Sequence, residues 1–64
     1  MGRYTLRQHR LLKGYTQEEM AKILEVHRNT YVSWEENPDK ISVGNAKRVA
    51  ITLGMSVNDI FFEQ

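Results

Sequence analysis

The sequence predicts an all-α fold, a compact bundle of five short helices in which the second and third form a helix-turn-helix. Three observations predict it. Residues that start helices and residues that end them alternate along the chain, alternating strand patterns are missing, and two amphipathic segments within about residues 17–36 are joined by a very short turn.

Each element has its own local reason. The first helix is expected from about Thr5 to Lys13, ended by Gly14, the residue type best suited to the left-handed position after a helix. Thr16 with Glu19 three residues on makes a capping box, so a second helix should run from Gln17 to about Leu24. A third begins near His27 and must stop before Pro38, because the residue preceding a proline is steered away from helical dihedrals. Ser42 caps a fourth helix ending at Leu53 and Gly54, and Ser56 with Asp59 starts a short fifth through Phe62.

On the second helix Gln17, Met20, Ala21 and Leu24 share one side, and only Glu25 and Val26 separate it from the third. So brief a connection makes the two helices cross steeply, at roughly 90 to 120°. A close crossing suits small Ala21, with Val26 plugging the turn from inside. The expected core is Leu6, Met20, Ala21, Leu24, Val26, Tyr31, Trp34, Val49, Leu53, Ile60 and Phe61.

Composition bounds what such a bundle can do. Sixty-four residues suffice for a single domain, residues 1–64, with one modest core. Without cysteine the chain holds no disulfide, and two isolated histidines make no zinc site, so neither a metal nor a cofactor is expected. The lack of cysteine favours a reducing, cytoplasmic setting, and no run is apolar enough to span a bilayer or to serve as a signal peptide. Net charge is only +1, but residues 1–34 carry six cations against three anions and residues 35–64 three against five. The front half is the better polyanion face, although an excess of that size is also ordinary solvation.

The segment "HRNTYVSWE" focuses the question of function. At 100° per residue it places Arg28, Asn29, Val32 and Ser33 on one side and Thr30, Tyr31 and Trp34 on the other. The aromatic spacing fits core packing better than base stacking. The outward set then comprises residue types suited to a major groove. Arginine donates twice to guanine, asparagine pairs bidentately with adenine, valine touches a thymine methyl, and serine serves either role. Any exposed helix face is polar; what singles this one out is its place at the start of the second helix of the motif, the end that enters the groove.

The stretches "LRQHRLLKGYTQEEMAKILEVHRNTYVSWEENP" and "ISVGNAKRVAITLGMSVNDIF" cover nearly the whole chain. They hold Arg10 four residues before Gly14, Thr16 followed by Gln17, Glu18 and Glu19, the small Ala21, the turn residue Val26, and Trp34 followed by Glu35. In this order and register the chain resembles the lambda-repressor-like, Cro-type helix-turn-helix regulators of phages and bacteria. Each element alone is a weak signal, and together they are a strong one.

The resemblance implies binding of double-stranded DNA, with no cofactor. It places Gln17 where a glutamine contacts phosphate and supports the recognition helix, and Arg28 and Asn29 where base reading begins, with Ser33 one turn later. Arg10 and Glu35 match a partly buried ion pair that joins the first and third helices, a scaffold and not an acid-base couple. Asn37 and Lys40 match positions that touch the sugar-phosphate backbone, and Thr16 and His27 are grouped with them. Related proteins pair through their C-terminal region, which makes Met55, Val57 and Phe62 the candidates for a two-fold contact.

The chain also departs from the pattern. Glu25 replaces the usual turn glycine, at a cost of order 1 kcal/mol if φ is positive. His27 stands where Ser or Thr caps the recognition helix, and either meets phosphate or does neither. Asn37-Pro38 replaces a glycine-containing loop, leaving the path of Asp39 and Lys40 open. Glu36 faces outward, so the end of the third helix should lift away from phosphates. Leu11 and Leu12 turn away from the main core, as partly covered leucines or as a contact site for another protein.

The leading functional reading is a sequence-specific transcriptional regulator that binds a palindromic operator as a dimer. Its rival is an adaptor of the same fold that acts through protein contacts, such as an antirepressor or antitoxin component. An enzyme is remote: the sequence has no Ser/His/acid or Cys/His set, no phosphate-cradling glycine loop and no metal-ligand spacing.

Overall fold

The computed structural model describes residues 4–61; Phe62 lies outside them. Within that range the chain is all-α, with α1 at Leu6–Lys13, α2 at Gln17–Leu24, α3 at Arg28–Glu36, α4 at Val43–Leu53 and α5 at Val57–Phe61. A 3-10 turn at Pro38–Lys40 links α3 to α4. The helix-turn-helix is α2 and α3.

Caps set the starts. Thr16 accepts from the Glu19 N–H at 3.0 Å while the Glu19 carboxylate accepts from the Thr16 N–H at 2.8 Å, a reciprocal box that satisfies two orphan donors. Thr5 and Gln8 make the same box at the head of α1. Ser42 accepts from the Asn45 N–H and Ser56 from the Asn58 N–H, each at 3.2 Å.

Three helices end on one device. The N–H groups of Gly14, Glu25 and Gly54 bond back to Leu11, Lys22 and Ile51, and those of the following Tyr15, Val26 and Met55 bond five residues back to Arg10, Ala21 and Ala50. This paired closure requires a left-handed residue and places an apolar side chain just after it. The left-handed residues have φ of 81°, 59° and 67°, and Tyr15, Val26 and Met55 all pack against the core.

The buried core comprises Leu6, Met20, Ala21, Leu24, Tyr31, Trp34, Ile41, Ala46, Val49, Ala50, Leu53 and Ile60. Tyr31 and Trp34 meet edge to face at 6.1 Å between ring centroids, a favoured aromatic geometry. Two positions differ from expectation. Val26 and Phe61 are half-buried against the core instead of fully inside it, Val26 in the turn between α2 and α3 and Phe61 at the last position of α5. Ile41, Ala46 and Ala50 were not anticipated: the 3-10 turn, closed by the Ile41 N–H on the Pro38 carbonyl at 3.0 Å, delivers Ile41 inward. The two alanines complete an i, i+3, i+4, i+7 stripe with Val49 and Leu53. Thr30 is exposed, because it lies about 70° from the middle of the stripe that buries its aromatic neighbours.

Candidate nucleic-acid interface

The turn between α2 and α3 consists of Glu25, Val26 and His27, and each has a separate task. Glu25 is the only non-glycine residue with positive φ among the described residues. It reverses the chain, and Val26 then turns its side chain onto the core. His27 begins the next helix: its Nδ1 accepts from the Asn29 N–H at 3.1 Å. The histidine therefore is a cap, a role the sequence reading did not give it. An acceptor Nδ1 in neutral imidazole leaves the proton on Nε2, on the far side of the ring.

Below the turn lies a polar junction that fixes α3. Arg10, only 6% exposed, donates from Nε to Glu35 Oε2 at 2.6 Å, from Nη2 to Glu35 Oε1 at 3.4 Å and from Nη1 to the Tyr15 carbonyl at 2.8 Å. Gln17 Nε2 donates to Glu35 Oε1 at 3.0 Å. One carboxylate on α3 thus gathers donors from α1 and α2. The hydrogen bond with Glu35 holds the Arg10 guanidinium above its ordinary pKa, against the opposing pull of burial. The neighbouring Tyr31 hydroxyl is buried with no hydrogen-bond partner. Burial, followed by the nearby Glu35 carboxylate, raises its pKa well above 10.0.

A third attachment was missed by sequence reasoning. Arg48 on α4 donates from Nη2 to the Leu24 carbonyl at 2.7 Å. It satisfies one of the orphan acceptors at the end of α2, where a cation also complements the helix dipole. Nothing in the local sequence around Arg48 announces a partner 24 residues away.

With the inner side of α3 held in this way, Arg28 and Asn29 are exposed, and Val32 and Ser33 are half-exposed. Nine residues make α3 about 14 Å long, a length that fits along a major groove roughly 12 Å wide. Around this edge Thr16, His27, Asn37 and Lys40 are exposed and Gln17 is half-buried. The Gln17 amide keeps one N–H and its carbonyl oxygen beyond the bond to Glu35. Glu36 is exposed at the far end of α3.

Other candidate surfaces are set apart. Leu11 and Leu12 are 51% and 67% exposed and line a shallow apolar groove with Tyr4 and Gln8. Met55 and Val57 are half-buried against the chain's own core; Phe62, proposed beside them, falls outside the described residues. Among the described residues no group of three or more His, Cys, Asp or Glu could hold a metal ion, and no helix is long and apolar enough to cross a membrane.

A left-handed turn between two helices, with a braced second helix that exposes Arg28 and Asn29, is the geometry of a helix-turn-helix protein. Residues 6–60 match the family model described as helix-turn-helix, and the chain belongs to that family of DNA-binding transcriptional regulators, which is not an enzyme family. Over 63 residues it is 41% identical to the protein named uncharacterized HTH-type transcriptional regulator YqaF of Bacillus subtilis (strain 168), covering 98% of this chain and 82% of that relative. No solved structure gives a significant match.

Proposed function

We propose that the chain is a sequence-specific double-stranded DNA-binding transcriptional regulator of Cro or repressor type that binds a palindromic operator as a dimer. The observation that carries this reading is the division of α3: Tyr31 and Trp34 are buried, while Arg28 and Asn29 stand exposed at the end that would enter the groove. Arg28 reads guanine and Asn29 adenine, with Val32 and Ser33 beside them. Thr16, Gln17, His27, Asn37 and Lys40 hold the phosphate backbone and set the register.

One small module makes limited groove contact, which favours pairing, and the exposed parts of Met55 and Val57 are the surface assigned to it together with Phe62. Two recognition helices about 34 Å apart would then meet successive major-groove faces. A second reading, an adaptor acting through protein contacts, is favoured by the exposed Leu11 and Leu12.

Selection of duplexes from a randomised pool at low salt separates the two. The regulator enriches a palindrome. Arg28→Ala relaxes one position in each half-site at a cost of about 1–3 kcal/mol, while Lys40→Ala weakens all duplexes alike and flattens the salt dependence. A pool that never enriches defeats this reading in favour of the adaptor.

A further inference from the structure

A serine facing a major groove is ambiguous, because its hydroxyl both donates and accepts. Ser33 is not. Its Oγ donates to the Thr30 carbonyl three residues earlier in α3, at 2.7 Å, and this bond uses the only hydrogen that the hydroxyl has. The lone pairs remain, and with the hydrogen turned back toward the helix they face away from it. Ser33 is half-exposed and sits one turn beyond exposed Asn29 on the same strip of α3.

We infer that Ser33 reads its base position as a hydrogen-bond acceptor only, so that the site takes adenine or cytosine there and disfavours guanine and thymine. The major-groove edges decide this. Adenine offers its N6 amino group and cytosine its N4 amino group as donors; guanine offers only the acceptors N7 and O6, and thymine only O4 beside its methyl. Against guanine or thymine the serine lone pairs meet further lone pairs. Turning the hydroxyl to donate instead gives up the bond to Thr30. Discrimination of roughly two- to tenfold follows, the worth of one neutral hydrogen bond.

The inference rests on the DNA-binding reading above, and its test keeps the two apart. Duplexes are selected in parallel with the full chain and with Ser33→Ala, a substitution that favours the helix and whose folding is checked by its melting curve. One position per half-site that wild type fills with adenine or cytosine should lose its bias in the variant, the other positions being unchanged. A duplex lacking that amino group, with purine for adenine or pyrimidin-2-one for cytosine, should weaken wild type by roughly two- to tenfold and leave Ser33→Ala unaffected. The inference is overturned if the position that loses its bias carried guanine or thymine, if no position differs between the two pools, or if the analogue weakens both proteins equally. Absence of enrichment with either protein defeats the DNA-binding reading itself, and this inference with it.

Discussion

Replacing Glu25 by glycine isolates one backbone position. Glu25 holds φ 59° and ψ 44°, the region that Gly14 and Gly54 hold at the ends of α1 and α4. A side chain at a left-handed position costs about 1–2 kcal/mol, because Cβ crowds the following carbonyl. Glycine relieves this but loses more freedom on folding, which takes back about 0.4–1 kcal/mol. The net gain is about 0.5–1 kcal/mol, and a domain of this size then melts roughly 2–8 °C higher. The two bonds that close the turn, from Glu25 N–H to Lys22 and from Val26 N–H to Ala21, are backbone bonds and survive the change. Glu25→Ala is the control, since it removes the exposed carboxylate and keeps Cβ. Thermal melts followed by far-ultraviolet circular dichroism should rank glycine above wild type, with alanine close to wild type. A fall in melting temperature for Glu25→Gly, or an equal rise for both variants, refutes the strain argument.

Two further predictions concern groups that the tertiary structure places. Tyr31→Phe deletes a buried hydroxyl that has no partner, so urea denaturation should show a gain of about 1 kcal/mol, and a loss of that size would reveal a missed hydrogen bond. The folded phenol ionises above its ordinary value of 10.0 chiefly because burial disfavours phenolate; stability associated with it is complete at lower pH and declines by about 1.4 kcal/mol per pH unit above about pH 10. Wild type should therefore weaken relative to Tyr31→Phe only in that alkaline range, and parallel stability curves across it would contradict the assigned burial. His27→Ala should cost about 1 kcal/mol by removing the cap, with recovery in His27→Asn, whose side-chain oxygen caps equally well; melting temperatures that do not separate the three proteins would exclude a capping role.

Most helix boundaries were legible because they rest on contacts within four residues. Thr16 and Glu19 lie three apart and complete each other's hydrogen bonds wherever the rest of the chain goes, and Pro38 ends α3 by its ring alone. Leu6, Met20, Leu24, Val49, Leu53 and Ile60 are buried in keeping with apolar periodicity. The same reasoning was blind to Ile41, which follows a proline turn and belongs to no periodic stripe. It did not read His27 as a cap: histidine is no favoured cap by residue type, and its ring accepts only because the backbone there presents the Asn29 N–H to Nδ1.

The sequence by itself determined five helices, the Thr16 and Ser42 caps, and the apolar face that α3 must hide, since dihedral preference, short-range hydrogen bonding and periodicity are properties of neighbouring residues. Only the tertiary structure decided how α3 is held. Glu35 collects Arg10 and Gln17 from two other helices, and Arg48 reaches the end of α2 from α4. Such bonds join residues 18 to 25 positions apart, and their partners are set by where packed helices bring side chains together, which no local rule encodes.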